Sequence, residues 1–393
     1  MVSADENRFL TTKLHGFGTT IFAEMSALAA ATGSINLGQG FPDTDGPQIV
    51  VDAAIDAIRS GKGNQYPPGP GIPELRAAIA NHQRAYYGLE VDPDSGVLVT
   101  CGATEALAAA FLSLLDTGDE CIVFEPFYDS YPAGIAMAGA SLVPVTLHAP
   151  DFQPDPRELA AAFTSRTKMI VVNSPHNPTG SVLTATSLEL IASLAIEHDV
   201  LVVADDAYEH LTFDGVLHRP IATLPDMFER TVTIGSAGKT LSMTGWKVGW
   251  ASGPTSLVAA IRTSKQFLTY VSSGPFQYAV AIGLGLGEQY FSDFAAQLQA
   301  KRDRLLDGLT AAGFTAFKPL GTYFITTNIN QISQTSAMEF CRALPHRCGV
   351  VAIPNSVFYA NQTRGDQYVR FAFCKRDDVI DEAVERLRRL SNA

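Results

Sequence analysis

Short runs of apolar residues alternate with longer segments over the central part of the chain, from residue 97 to 252. Most of these runs are continuous and do not alternate with polar positions, a pattern typical of strands that are covered on both faces. The intervening segments, such as residues 103–115 and 187–198, are long enough for crossover helices. We therefore predict an α/β fold with a mostly parallel, helix-sandwiched sheet, whose strands are VLVT, CIVF, LVPV, KMIVV, VLVVAD, TVTI and KVGWAS.

The pattern changes on both sides of this region. Before it, apolar residues at helical spacing end at Gly33, and two further helices are predicted to begin near Pro47 and Pro73. After about residue 290 comes a long helical stretch, followed by the strand-like runs YFITTNI, VVAIP and YVRFAF and a helix over 377–390. We predict a large domain over 45–288 and a smaller α+β domain over 289–393, with residues 1–44 packing against the small domain.

The composition and net charge of the chain argue against several classes of protein. The chain of 393 residues is 46% hydrophobic and 17% charged, as in globular proteins. Its formal net charge of −12 argues against binding to nucleic acid or to an anionic membrane. Five cysteines without a Cys-x-x-Cys pair are typical of reduced thiols. The first residues, MVSADENRFL, show no secretory signal, and no apolar run is long enough to cross a bilayer, so a cytoplasmic location is predicted.

Polar and aromatic residues follow several of the predicted strands. Ligands bind at the carboxyl ends of strands in open parallel sheets, so these residues are the first candidates for a site. Ala103 and Thr104 open a helix whose free N–H groups suit a phosphate, although a simple glycine turn explains them equally well. Tyr128 could stack on a planar ring or belong to the core. Asn177 lies in the proline-fixed turn NSPHNPTG, which is too polar and specific for an ordinary turn.

Two further strand ends carry ionisable groups. Asp205 ends a buried strand, where a carboxylate is costly without a cationic partner such as a protonated pyridine nitrogen. Ser236 and Lys239 follow the next strand. Desolvation and neighbouring cations lower a lysine's pKa and allow its amine to form a Schiff base.

Taken in order along the chain, these motifs resemble the class I/II pyridoxal-phosphate aminotransferases of fold type I. The resemblance rests on HNPTG, on Asp205 with Tyr208, on Ser236-Ala-Gly-Lys239, on GWKVGW and on Arg370 in YVRFAF, and it extends over nearly the whole chain. The strings NLGQGFPD, NQYPPGPG and EPFYDSY are most similar to the branch of kynurenine aminotransferase, glutamine transaminase K and N-succinyldiaminopimelate aminotransferase.

The resemblance implies roles for individual residues. Lys239 would form an aldimine with pyridoxal 5′-phosphate and then move a proton between the substrate Cα and the cofactor. Asp205 would pair with the pyridine N–H, and Asn177 and Tyr208 would bind the ring's phenolic oxygen. The phosphate would be bound by Ala103, Thr104, Ser236 and Lys247, and Tyr128 would stack on the ring. The substrate would be bound by Arg370, Asn177 and Gly38.

The family also implies a ping-pong transfer of an amino group from an L-amino acid to a 2-oxo acid. In its homodimers a tyrosine of the partner subunit reaches the phosphate, and Tyr66 matches that residue, so a shared active site is expected. This chain has Asp206 and Lys247 where many relatives have Glu and Arg. No second arginine for an ω-carboxylate is evident, and Phe22 and Phe276 suggest an apolar pocket, although either could be core.

Other functions fit less well. Ser236-x-x-Lys239 is also the motif of serine acyl-enzymes, but the Lys-Thr-Gly strand that they need is missing. Gly38-Gln-Gly40 stops short of the dinucleotide motif Gly-x-Gly-x-x-Gly. The spacing of His210, Asp214 and His218 matches no standard metal site, so no metal is expected. Within the pyridoxal enzymes, a carbon–sulfur β-lyase and a catalytically idle pyridoxal-binding regulator stay open, as does the amino donor.

Overall fold

A large mixed sheet forms the centre of the protein. The computed structural model describes residues 8–390. Eight strands form the large sheet in the order β2-β9-β8-β7-β6-β3-β4-β5. Its neighbours from β8 through β7, β6 and β3 to β4 pair in parallel, while β9 is antiparallel to both β2 and β8, and β5 to β4. The strands are β1 Ile35–Asn36, β2 Val97–Thr100, β3 Glu120–Glu125, β4 Ser141–His148, β5 Gln153–Pro154, β6 Thr167–Asn173, β7 Leu201–Asp205, β8 Thr231–Ser236, β9 Gly249–Ser252, β10 Thr315–Ala316, β11 Phe324–Asn328, β12 Val350–Val351, β13 Ile353–Pro354 and β14 Tyr368–Ala372.

Helices cover this sheet and continue beyond it. The helices that were predicted begin and end close to the expected positions, because the chain carries ordinary helix-terminus residues there. They are α1 Ile21–Thr32, α2 Gln48–Arg59, α3 Pro73–Tyr87, α4 Ala103–Leu114, α5 Ser130–Ala138, α6 Pro156–Ala162, α7 Ala185–Glu197, α8 Ala237–Thr240, α9 Thr255–Leu268, α10 Gly274–Leu284, α11 Glu288–Ala311, α12 Ala337–Cys348 and α13 Asp377–Leu387. Short 3₁₀ segments lie between several of them.

The continuous apolar runs are explained by burial on both faces of the large sheet. Along β6, Ile170 and Val172 pack into one hydrophobic cluster, while Met169 and Val171 pack into another. Successive strand side chains point to opposite faces, so both sets must be apolar when helices cover both faces. The prediction of a helix-sandwiched, mostly parallel sheet is confirmed.

A second sheet lies in the carboxyl-terminal part, with strand order β10-β11-β14-β13, all antiparallel. The amino-terminal β1 pairs in parallel with β12. Ile21 and Met25 on α1 are buried in the same hydrophobic cluster as Phe340 and Val351. This packing agrees with the expected association of the two chain ends, while domain boundaries at 44/45 and 288/289 stay a prediction.

Helix α1 shows how local sequence sets these elements. The Thr20 side chain accepts a hydrogen bond from the backbone N–H of Ala23, and Gly33 ends the helix with a φ of 61°. The loop that follows β1 carries Gly38 and Gly40, and Gly40 lines the cavity described below. Within residues 8–390, no helix is long and apolar enough to span a membrane.

Candidate active site

A cavity of about 260 Å³ lies at the carboxyl ends of the parallel strands, where they meet the amino-terminal loop and the second sheet. Parallel strands bring their carboxyl ends to one edge, so residues far apart in sequence meet there. The cavity lining contains ten of the predicted site residues, namely Ala103, Thr104, Tyr128, Asn177, Asp205, Tyr208, Ser236, Lys239, Lys247 and Arg370. Two predicted residues, Gly38 and Tyr66, do not line it.

Lys239 projects into the cavity from α8, directly after β8. Its Nζ donates to the Tyr323 hydroxyl at 2.7 Å and to the Gly40 carbonyl at 3.4 Å. Burial lowers the pKa of Lys239 to about 8, and the positive charges of Arg370 and Lys247 act in the same direction. About a tenth of this amine is therefore neutral, and hence nucleophilic, at pH 7, a far larger fraction than for an ordinary lysine.

Tyr323 is a site residue that sequence reasoning missed. Its hydroxyl donates to the Gly40 carbonyl at 2.6 Å, and its ring meets the Tyr208 ring edge-on at 5.3 Å. In the sequence it belongs to the run YFITTNI, which indicates only a strand. No local signal could have paired it with Lys239, which lies 84 residues away.

Asp205 is buried at the end of β7. The Tyr131 hydroxyl donates to its carboxylate at 2.6 Å and the backbone N–H of Ala207 at 3.3 Å. Burial raises the pKa of Asp205 to about 6, and these two hydrogen bonds only partly oppose it. The carboxylate therefore still lacks a cationic partner. Tyr131 was also missed, although it ends the quoted string EPFYDSY.

Arg370 is buried on β14 and spans two parts of the site. Its guanidinium donates to the Asn177 side-chain oxygen at 2.9 Å and to the Gly38 carbonyl at 3.1 Å. Its Nε has no hydrogen-bond partner among residues 8–390, although the residue is only 2% exposed. Burial lowers the pKa of Arg370 to about 10. The guanidinium lies 4.0 Å from the centre of the Phe324 ring and 5.3 Å from that of Phe22.

The turn that carries Asn177 is fixed by Asn173, another residue not singled out in the sequence. The Asn173 side chain accepts from the Asn177 backbone N–H at 2.9 Å and donates to the Asp205 carbonyl at 2.7 Å. It thus joins the ends of β6 and β7. A polar residue at this strand end, directly before the turn, was the available signal.

The opposite side of the cavity is built for an anion. Gly102, with a φ of 78°, precedes the first residues of α4, and Lys247 has a φ of 54°. A side chain at Gly102 would place its Cβ 3.1 Å from Lys247 Nζ. Ser236 and Thr104 line the same region. A helix N-terminus, two hydroxyls and an ammonium group together favour a phosphate.

Two aromatic expectations have different outcomes. Phe22 lines the cavity, as expected. Phe276 does not line it: it stacks on Trp246, with ring centres 4.6 Å apart, and packs against a hydrophobic cluster, which supports the alternative that Phe276 belongs to the core. Tyr66 is 81% exposed and meets Tyr270 edge-on at 5.3 Å, outside the cavity.

Comparisons with known proteins identify the family of the chain. The sequence profile described as "Aminotransferase class I and II" matches residues 32–387. The chain belongs to this family. It is 49% identical to the probable N-succinyldiaminopimelate aminotransferase DapC of Mycobacterium tuberculosis, over 95% of this chain and 97% of that protein. It is also 38% identical to the methionine aminotransferase of Escherichia coli, over 96% and 97% of the two chains.

Solved structures give the same result for the fold. The structure of N-succinyldiaminopimelate aminotransferase from Mycobacterium tuberculosis superposes with a TM-score of 0.95, covering 97% of this chain and 100% of that one. The chain is therefore a fold type I aminotransferase that catalyses pyridoxal-phosphate-dependent transamination. The β-lyase and the idle regulator are not favoured by these relatives.

The cavity also fits the family's cofactor on its own geometry. Asp205 offers a buried carboxylate that lacks a cation, as a pyridinium N–H requires. Gly102 leaves room beside Lys247 that any Cβ would fill. Lys239 supplies an amine of lowered pKa within the same cavity. An acid, an amine and an anion site in one cavity match a phosphorylated pyridine aldehyde.

Proposed function

We propose that Lys239, Asp205 and Arg370 carry the transamination. The observation on which this rests is that the amine, the buried acid and the buried guanidinium line one cavity. Bound pyridoxal phosphate supplies a cationic ring that withdraws electrons from the substrate Cα. Asp205 would hold the ring nitrogen protonated. Lys239 would take the proton from the substrate Cα and deliver it to the cofactor.

Arg370 would bind the substrate α-carboxylate. Its unpartnered Nε and its planar fork suit a bidentate contact with two carboxylate oxygens. The contacts with Asn177 and Gly38 hold the fork in place before substrate arrives. The Asn177 side-chain oxygen already accepts a hydrogen bond from Arg370. The hydrogen bond proposed from Asn177 to the ring's phenolic oxygen would therefore come from its amide nitrogen.

The other cofactor contacts are proposed from the cavity lining. Ala103, Thr104, Ser236 and Lys247 would hold the phosphate, and Tyr128 would stack on the ring. Tyr208 is buried, and burial raises its pKa, so its hydroxyl stays protonated and can donate to the ring oxygen. These roles stay predictions for the individual residues.

Two amino donors have specific support. The 49% identical relative is named for N-succinyldiaminopimelate, which makes this the first candidate. Phe22 and Phe324 flank Arg370 and present apolar surface to a substrate side chain, which supports an apolar donor such as methionine. The acceptor is a 2-oxo acid.

A donor panel decides between them. The holoenzyme is mixed with each amino acid without acceptor, and the bound cofactor's absorbance is followed; a 2-oxo acid is then added to restore it. We expect the largest response per unit concentration from N-succinyl-L,L-diaminopimelate, with methionine second. Lys239→Ala serves as the control that binds cofactor without turnover. Release of pyruvate and ammonia without any need for an oxo acid would contradict transamination as the main activity.

The subunit arrangement is also a proposal. Tyr66 is exposed, and large apolar side chains near it in space or on neighbouring helices are exposed as well, among them Ile58, Phe267, Leu268 and Tyr270. An exposed apolar surface of this kind supports association. We infer a homodimer in which the partner subunit's Tyr66 completes the phosphate site. The cytoplasmic location stays a prediction from the sequence.

A further inference from the structure

A second group of polar side chains is buried behind the active site, between α3 and the segment that follows Tyr208. His82 lies on α3, and Glu209 and His210 come directly after Tyr208. One ligand atom from each of these three residues lies within 4.8 Å of those of the other two. None of them belongs to the cavity described above.

The two imidazoles are hydrogen-bonded through their Nε2 atoms at 2.6 Å, with the ring planes 82° apart. Burial lowers the pKa of His82 to about 4 and that of His210 to about 2, so both rings are neutral near pH 7. His82 Nδ1 is buried without a partner. Neutral imidazole nitrogens are the form that binds metal ions.

The carboxylate beside them is also incompletely satisfied. Glu209 is 4% exposed, and its Oε2 has no hydrogen-bond partner within the described chain. Burial raises the pKa of Glu209 to about 7, which the nearby His218 and the Tyr87 hydroxyl only partly oppose. His218 Nε2 lies 3.3 Å from Asp206 Oδ2, although neither atom makes a hydrogen bond of good geometry among the described residues. A buried carboxylate whose oxygens are not all hydrogen-bonded is strongly stabilised by a bound cation.

The surroundings position the rings and leave a route to them. His210 stacks on Phe291 at 4.0 Å, with 7° between the ring planes, and His82 packs on Tyr86 at 4.7 Å. His210 is half-buried and borders a surface groove of about 1130 Å³. The groove's lining includes Glu74 and Glu288 and, among the residues described, no lysine or arginine. Its charge therefore attracts a cation.

We propose that His82, Glu209 and His210 bind one Zn²⁺ ion, with the fourth position open to water from the groove. Two imidazoles and one carboxylate are an established zinc donor set, and three protein ligands leave one position free. With metal–nitrogen bonds of about 2.0–2.1 Å, the two Nε2 atoms would move apart to roughly 3.3 Å. The bound ion would tie α3 to the segment that carries Asp205 and Tyr208.

The sequence did not reveal this group, because His82 lies 128 residues before His210. His210, Asp214 and His218, which were considered as ligands from their spacing, do not come together. Asp214 pairs with Arg302 at 2.6 Å, and His218 faces Asp206. Only His210 of those three belongs to the proposed site.

Metal retention by the holoenzyme tests the proposal. The enzyme is treated with a chelator, given a slight excess of Zn²⁺, passed through a desalting column and assayed for metal. We expect about one equivalent of zinc per chain in the wild type and less than a fifth of that in His82→Gln and Glu209→Gln. His346→Gln, which changes an exposed histidine elsewhere, should retain the wild-type amount.

Cobalt identifies the ligands and separates a lost site from a lost fold. Co²⁺ in the wild type should give visible bands without the near-ultraviolet band of a sulfur ligand, and Cys101→Ser should leave them unchanged. Circular dichroism of both glutamine variants should match the wild type. Wild-type enzyme that retains no zinc, or variants that retain as much as it does, would overturn the proposal and leave a plain hydrogen-bonded histidine pair.

Discussion

The amine of Lys239 donates hydrogen bonds to oxygens that carry no negative charge. Tyr323 and Gly40 provide two oxygens, and the rings of Tyr208 and Tyr323 lie 5.7 and 5.4 Å from Nζ. The charged form loses water and gains only neutral partners, and Arg370 repels it. The pKa of Lys239 is lowered for this reason, which suits the roles proposed for this amine, binding a carbonyl and accepting a proton.

The first prediction concerns the pH dependence of this amine. In the cofactor-free protein, labelling of Lys239 by an amine-acylating reagent should rise with a midpoint near pH 8, well below the usual lysine pKa of 10.5. Peptide mass spectrometry measures the labelled fraction at each pH, with the exposed Lys168 as internal reference. A labelling midpoint above pH 10 would show that burial does not lower the pKa of Lys239.

The same shift has a consequence for stability. Between pH 8 and 10.5 the unfolded chain holds a proton on Lys239 that the folded chain has lost. The contribution of Lys239 to the free energy of unfolding therefore rises with pH through this window. Lys239→Met should lose that rise, which denaturant titrations of the cofactor-free proteins at several pH values would measure.

A second prediction at this scale concerns Arg370. Arg370→Lys keeps the positive charge but loses the planar fork, so KM for the amino donor should rise about 10- to 100-fold. Half-reaction kinetics give this value separately from acceptor binding. Arg376→Lys, at an exposed arginine paired with Asp378, is the matched control and should leave KM unchanged. Equal KM values for both variants would remove Arg370 from carboxylate binding.

Among the secondary-structure elements, the start of α4 depends on the backbone of one residue. Gly102 has a φ of 78°, which glycine adopts readily and other residues adopt at a cost. The conformation lets the chain turn from β2 into α4 close to Lys247. The first N–H groups of the helix and the ammonium group thereby border the same part of the cavity.

Gly102→Ala should therefore weaken cofactor binding. We expect a loss of about 10- to 100-fold in affinity for pyridoxal phosphate, from strain and from the methyl group beside Lys247. Fluorescence titration of the cofactor-free protein measures it. Gly215→Ala is the control, since Gly215 has a φ of 75° and no atom within 4 Å of an added Cβ. If both variants lose affinity equally, the effect is general strain.

The strands show what could be predicted from sequence and what could not. Continuous apolar runs predicted seven of the eight strands of the large sheet, all except the two-residue β5. They also placed Asp205 and Ser236 at strand ends and Asn177 in the turn after β6. The antiparallel pairing of β9 was not predictable, because both its faces are buried like those of its parallel neighbours. Tyr131, Tyr323 and Gly40 were missed since their contacts depend on distant parts of the chain.

At the scale of the whole molecule, Tyr66 is the predicted cofactor-binding residue that is exposed and does not line the cavity of its own chain. It was predicted to act in the partner subunit, and its exposed position outside its own cavity agrees with that prediction without testing it. The exposed Ile58, Phe267 and Leu268 are surface that association would cover.

Subunit mixing tests the shared site. Tyr66→Phe and Lys239→Ala homodimers should each be impaired, while verified heterodimers should regain up to half the activity per dimer. One of their two sites would then combine an intact Lys239 with the partner's intact Tyr66. Mixed dimers are isolated by two affinity tags and assayed against each parent. Heterodimers no more active than the parents would argue that Tyr66 acts within its own chain or not at all.

The bond between Arg370 and the Gly38 carbonyl joins residues 332 positions apart. Lys375 similarly donates to the Phe41 carbonyl at 2.8 Å. Contacts between such distant residues carry a large loop-closure entropy and form late in folding. During synthesis the amino-terminal loop must wait for almost the entire chain to leave the ribosome. The part of the cavity around Arg370, where we propose that the substrate carboxylate binds, is thus among the last parts of the enzyme to form, and any truncation that removes Arg370 abolishes it.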